Sequence, residues 1–280
     1  MDKNEINDQN IAFWDELCGT HIAGQLGITD TSSESLLKFD TWFFNFYPYL
    51  TDVLEPLDGI EDSVLEIGLG YGSVCSYLLS RGVRYRGLDI ATGPVQMANH
   101  RAQLLNINEE IASAGNALDL SELSNGSFGA VVAIGSLHHT GDFRSSIQEA
   151  ARIVKPGGIV IGMVYSVFSW RNWKTFPLLL GRLCFSNLSS EGITIRADEK
   201  MRWMSDHNSE GNAAPATQYF SRRALRKILS EIGTPSIRSR NLDLPSFRGH
   251  TSHRFRRLLM ASPIGNLLGL DLYFFIRRTE

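Results

Sequence analysis

The chain has 280 residues, 43% of them hydrophobic and 20% charged, with a formal net charge of −3, which excludes a disordered polar tract and supports a folded core of good size. Three cysteines, Cys18, Cys75 and Cys184, are odd in number and never spaced C-x-x-C, so neither a disulfide frame nor a zinc site is expected, and a reducing, cytoplasmic setting is. The polar, acidic start is no secretory signal, and the longest apolar stretch, Leu258 to Ile276, is broken by Ser262, Pro263, Asn266 and Asp271, so no membrane insertion is expected.

Residues 1–60 read as helical and aromatic-rich. Ile11, Trp14, Asp15, Leu17 and Cys18 suggest a short amphipathic helix. Seven aromatics crowd Phe39 to Leu50. Such a stripe is either plain core or a water-excluding lid over a site, with Trp42 and Tyr47 as the pocket residues of the lid reading.

Val64-Leu65-Glu66-Ile67 is short, apolar and branched enough for a buried strand. Glycines follow at Gly68, Gly70 and Gly72, then a helical pattern (Val74, Tyr77, Leu78) that stops at Gly82. Strand, glycine loop and helix N-terminus together let backbone press against a ligand. A dinucleotide fingerprint wants G-x-G-x-x-G, whereas this chain has E-x-G-x-G-x-G with Ser73 at the third dinucleotide position. Glu66, expected to point at the pocket from the strand end, suits a cationic ligand better than a pyrophosphate.

This segment resembles motif I of the class I S-adenosylmethionine-dependent methyltransferases, whose ligand carries an ammonium and a sulfonium but no phosphate. The resemblance implies a Rossmann-like, doubly wound, mostly parallel α/β sheet of seven strands with an antiparallel last strand. It also implies binding of S-adenosylmethionine, release of S-adenosylhomocysteine and no metal. Further units follow in register. Arg84 to Ile90 reads as a second strand ending in Asp89, whose two carboxylate oxygens match two vicinal ribose hydroxyls, with Ile90 beside it. A helix from Gly93 to Asn106 and a strand near Ile111 to Ala114 come next. Asn116 and Ala117 stand where the family often has G-D-A at the adenine; an ordinary turn residue is the alternative for Asn116.

Ser127 to Thr140 reads as a buried strand running into a small-residue turn, and resembles the S-F-D…L-H-H region of the ubiquinone-biosynthesis-like branch, with Gly129 in place of the usual Asp. Gly135 and Ser136 would lie beside the sulfonium. Of the pair His138 and His139, His139 is the candidate general base and His138 a substrate contact. A helix from Phe143 to Val154 stops at Lys155-Pro156-Gly157-Gly158, and Ile159 to Tyr165 forms strand five, with Tyr165 facing substrate.

Residues 166–218 break the rhythm and read as a helical insertion over the pocket, with Asp206, His207 and Asn208 as candidate pocket groups. Ser221 opens a helix ending at Gly233-Thr234-Pro235, Ile237 to Leu244 would be strand six, and Leu270 to Ile276 the closing strand after a basic helical excursion. We therefore divide the chain into a helical cap (1–60), a cofactor-binding core (61–165), a substrate-cap insertion (166–218) and the rest of the sheet (219–280). Eleven acidic against two basic residues in 1–60, and twelve basic against four acidic in 219–280, mark the ends with opposite charge. A solvated or mutually packed pair of ends is the expectation, and a nucleic-acid partner the alternative. Ala133-Ile134-Gly135-Ser136 lacks the Pro-Pro-aromatic turn of base methylation, so a small-molecule acceptor (O-, N- or C-nucleophile) leads. A nucleic-acid- or other macromolecule-directed methyltransferase is the alternative, with a NAD-dependent reductase behind it. A homodimer stays open.

Overall fold

A computed structural model of the protein describes residues 3–16, 18–186, 192–242 and 262–279. The N-terminal part is helical: α1 (Lys3–Trp14), α2 (Thr20–Gln25), α3 (Ser33–Phe46) and α4 (Leu50–Leu54), then a 3-10 turn at Glu55–Leu57. Ser32 starts α3 by accepting from the Ser35 amide, which satisfies one of the helix's orphan donors.

The core alternates strands and helices: β1 (Val64–Ile67), α5 (Ser73–Ser80), β2 (Tyr85–Asp89), α6 (Thr92–Leu104), β3 (Ala112–Ala114), β4 (Phe128–Ile134), α7 (Phe143–Ile153) and β5 (Val154–Ser166). β1 pairs in parallel with β2 and β4, β2 with β3, and β4 with β5. Successive side chains on a strand face opposite ways, and the two faces bury separate layers. Val64, Val132 and Ile161 pack with Cys75, Leu78 and Ala98 on the α5–α6 side. Leu65, Val131 and Val160 pack with Phe143, Ile147 and Leu225 on the other. That two-sided burial explains why these strands read as continuous apolar runs.

Beyond β5 come α8 (Trp170–Thr175), α9 (Pro177–Ser186), β6 (Thr194–Arg196), α10 (Glu199–Ser205), β7 (Gln218–Phe220), α11 (Arg222–Leu229), β8 (Gly233–Arg240), α12 (Pro263–Leu268) and β9 (Asp271–Arg278). β9 lies antiparallel between β5 and β8, as the sequence suggests for a last strand. The order across the sheet is thus β3-β2-β1-β4-β5-β9-β8, with β7 added in parallel at the end of β5 and β6 antiparallel to β7.

Two sequence expectations shift. The insertion is not wholly helical, because β6 extends the sheet through β7 and buries Ile193 and Tyr219 in a small core with Val167 and Met201. β8 begins at Gly233, earlier than Ile237, and carries Pro235 in a strand that pairs with β9 alone, where a missing donor costs little. The end of the expected strand six and the basic stretch after it lie outside the described residues. The two ends do touch, Tyr49 donating its hydroxyl to Asp271 at 3.3 Å and packing edge-on against Tyr273, while no ion pair among the described residues joins 1–60 to 219–280; Asp40 and Asp58 bind Arg101 and Arg81.

Candidate functional site

A cavity of about 380 Å³ opens where β1, β2 and β4 end, roofed by α1 and α3. Gly68, Gly70, Asp89, Ile90, Asn116, Ala117, Gly135 and Ser136 line it, as do Tyr47, His139 and Tyr165. The glycine loop is shaped for close approach. Gly68 has φ +85°, and a Cβ there would collide with Cβ of Ser136, whose hydroxyl donates to the Ile67 carbonyl at 2.6 Å. Gly72, the N-cap of α5, lies outside the cavity; its bare Cα instead leaves room for Arg101, 2.7 Å from where a Cβ would sit.

Asp89 is buried at the end of β2, and its carboxylate is held by two backbone amides, Leu69 N–H at 2.7 Å and Ala91 N–H at 3.0 Å. Burial pushes its pKa up against those hydrogen bonds. Each oxygen keeps a further lone pair for a ligand hydroxyl. Asn116 lines the cavity while its Oδ1 accepts from the Leu118 amide at 2.9 Å, an Asx turn, so it also fills the turn role weighed as the alternative.

Glu66 does not point at the cavity. It shares the strand parity of Val64, so its side chain turns toward α5 and accepts the Tyr85 hydroxyl at 2.6 Å. Burial raises its pKa to about 8, the Tyr85 hydrogen bond opposing the shift. A mostly neutral acid facing away from the cavity cannot select a cationic ligand. That corrects the role expected of it.

The two histidines part company. His138 is fully enclosed and not among the lining residues, with its ring 4.1 Å from His139 and 4.4 Å from Tyr165. Burial holds it well below the usual histidine range. The Met163 backbone opposes that shift, although neither ring nitrogen reaches a well-formed hydrogen bond. His138 is thus packing and no substrate contact. His139 faces the cavity, its Nδ1 2.8 Å from the Ala216 carbonyl and 3.2 Å from the Thr217 hydroxyl, its Nε2 3.6 Å from Asp206 Oδ2. Asp206 Oδ1 accepts from the Tyr165 hydroxyl at 3.1 Å. Of the three insertion candidates only Asp206 lines the cavity; His207 is exposed and stacks on Trp203, and Asn208 turns the loop back on itself by accepting from Asn212 N–H.

The lid residues are partly different ones. Trp42 points away into a cluster with Phe39 and Phe46, while Phe43, Phe46 and Tyr47 line the cavity. On one helix, positions 39, 43 and 46–47 share a face, and Trp42 sits at its border. The sequence reading missed Asn7, Asn10 and Trp14 of α1, which line the cavity at helical spacing, a signal available in their i, i+3, i+7 register. Asn10 donates to the His139 carbonyl at 2.9 Å, and Trp14 packs 5.0 Å from the His139 ring. It also missed Arg171, Asn241 and Asp271. Asp271 interrupts an apolar closing strand, and that interruption was its signal. Among the described residues no group of three or more His, Cys, Asp or Glu could hold a metal ion.

Residues 65–162 match the family model described as a methyltransferase domain. A ubiquinone biosynthesis O-methyltransferase of Alkalilimnicola ehrlichii is 31% identical over 161 residues, 54% of this chain and 62% of that protein. A 27-O-demethylrifamycin SV methyltransferase of Amycolatopsis mediterranei is 32% identical over 99 residues, 35% of this chain and 36% of that protein. The chain spans 62%, 52% and 65% of the length of three ubiquinone biosynthesis O-methyltransferases that it matches. Among solved structures, the 1,6-didemethyltoxoflavin-N1-methyltransferase of Burkholderia thailandensis superposes with a TM-score of 0.51 at 16% identity, over 84% of this chain and 79% of that one. The matched residues carry β1, the glycine loop, Asp89 and the His139 turn. Over residues 65–162 the chain is thus similar to a methyltransferase domain.

Proposed function

We propose that the protein transfers the methyl group of S-adenosylmethionine to a small molecule held under α1 and α3. The observation that carries this reading is that the family match covers the same residues whose bare glycine loop and amide-held Asp89 line the cavity. The residues present suit that cofactor: Asp89 offers acceptors to a ribose, Ile90, Asn116 and Ala117 an edge for a planar base, Gly68 and Gly70 uncovered backbone, and Gly135 and Ser136 a small-residue wall. When bound, S-adenosylmethionine supplies an electrophilic methyl on a sulfonium. The protein's own work is then alignment, exclusion of water and removal of one proton. His139 is the base: the Ala216 carbonyl fixes its hydrogen on Nδ1, which leaves Nε2 as an acceptor toward the cavity. Phe43, Phe46 and Tyr47 keep the reacting atoms dry. Three cysteines without a disulfide support a cytoplasmic setting, and no helix among the described residues is long and apolar enough to cross a membrane.

The test is thermal. At a hundredfold excess over its dissociation constant, S-adenosylhomocysteine should stabilise the fold by about 2.7 kcal/mol, or about 5 °C. NADH should not. His139→Ala should keep that shift and lose turnover by a factor of about 100 or more. A shift with NADH and none with S-adenosylhomocysteine overturns the reading; unchanged turnover in the variant removes His139 as the base.

A further inference from the structure

His139 Nδ1 lies 2.8 Å from a carbonyl oxygen, which can only accept, so in the neutral ring Nε2 is a bare acceptor. Asp206 Oδ2 is 3.6 Å from it, beyond hydrogen-bond reach, and this buried oxygen receives no donor. Oδ1 of the same carboxylate is occupied by the Tyr165 hydroxyl. Two acceptors therefore stand 3.6 Å apart in the cavity wall with no hydrogen between them. A buried carboxylate oxygen left in that state is costly, and whatever binds there has to bring donors for both.

Charge is a second, independent observation. Among the described residues three carboxylates line the cavity, Asp89, Asp206 and Asp271, against the single guanidinium of Arg171. Arg171 is turned to the Met204 carbonyl and the Ser205 hydroxyl. A sulfonium cofactor with one ammonium and one carboxylate carries one net positive charge, which still leaves an excess of negative charge for the acceptor to meet.

We propose that the methyl acceptor is an amine, bound as its ammonium between His139 Nε2 and Asp206 Oδ2. This rests on the methyl-transfer reading above. An alkylammonium has three N–H donors on one atom, enough for both acceptors, whereas an alcohol has one and leaves the carboxylate oxygen unmet. Nε2 takes one proton, and the electron pair of that N–H bond stays on the amine nitrogen. That lone pair forms the new N–C bond as the C–S bond breaks with its electrons going to sulfur. The product leaves as a methylated ammonium, and the proton on His139 passes to water. Asp206 holds the ammonium before transfer and faces the imidazolium afterwards, while Phe43, Phe46 and Tyr47 supply an apolar, π-faced seat for the rest of the molecule.

Labelled-methyl transfer is measured with phenethylamine, tryptamine and cyclohexylamine and with their matched alcohols, 2-phenylethanol, tryptophol and cyclohexanol. The S-adenosylhomocysteine melting shift is followed in parallel. We expect the amines alone to be methylated. Asp206→Asn should raise their KM roughly 10- to 100-fold with the melting shift kept, and Asp206→Glu should recover part of the loss. Transfer to the alcohols with the amines inert, transfer to no amine, or an Asp206→Asn KM within about twofold of wild type each overturns the proposal. The wild-type panel decides alone if the variants do not fold. Absence of the melting shift in the wild type is a different failure, that of the methyl-transfer reading beneath.

Discussion

Glu66 shows how one residue can sit in a recognisable motif and do something other than its position suggests. Its acid group is buried against the Tyr85 hydroxyl, with a pKa of about 8 in place of 4.5. An acid whose folded pKa is raised stabilises the fold below its unfolded value and loses that contribution as pH rises through the folded one. Wild-type stability should therefore fall by roughly 1.4 kcal/mol per pH unit between about 4.5 and about 8 on account of this group. Glu66→Gln keeps an oxygen for the Tyr85 hydroxyl and cannot ionise. We expect the variant to gain on wild type steadily across that window in denaturation curves taken at pH 5, 6.5 and 8. A constant difference would mean that Glu66 titrates normally.

At the level of elements, the glycine loop is held from outside by a buried fork. Arg101 of α6, 3% exposed, donates Nε–H to the Tyr71 carbonyl at 2.8 Å, and Nη1 and Nη2 to Asp40 of α3 at 2.8 and 3.1 Å. Asp40 in turn accepts from the Ser73 hydroxyl at 2.6 Å, and Phe39 stacks on Tyr71 at 4.0 Å. The cap helix is thus bolted to the loop it covers. Removing one partner of such a pair leaves the other inadequately solvated, so Arg101→Met should cost about 3 kcal/mol in urea denaturation. With Asp40→Ala added, the total should fall short of the sum by about 1 kcal/mol or more. Strict additivity would show that the fork does not couple α3 to α6. None of this was legible from spacing, because Asp40, Tyr71 and Arg101 come from three separate segments.

Across the whole molecule, α1 spans the site and is fastened on both banks. Asp15 accepts from the Thr92 hydroxyl and Gly93 N–H at the start of α6, and Glu16 accepts from the Ser209 amide and hydroxyl in the insertion. Asn10 adds a bond to the His139 carbonyl between them. These bonds are expected to slow the release of a ligand held under the helix. Asp15→Ala combined with Glu16→Ala should speed S-adenosylhomocysteine release about tenfold in stopped-flow experiments, with the fold's own melting temperature little changed. An unaltered off-rate would mean that entry lies elsewhere.

The core was readable in the chain because local chemistry sets it. Apolar runs of strand length, glycines at positive φ and the helix stop at Lys155-Pro156-Gly157-Gly158 each depend on near neighbours, and they led to the mostly parallel sheet and to Asp89, Gly68, Gly135 and His139 around one opening. What packing alone decided is of another kind. Strand parity turned Glu66 away, helix register put Phe43 and Phe46 at the cavity in place of Trp42, and enclosure made His138 core. Asp206 met His139 across 67 residues of chain, and Asp271 and α1 reached the cavity from opposite ends of it. Spacing along a sequence records which backbone conformations are cheap. Which side chains share a cavity depends on how separately encoded elements pack, and that appears only when the sheet, the insertion and α1 close on one another.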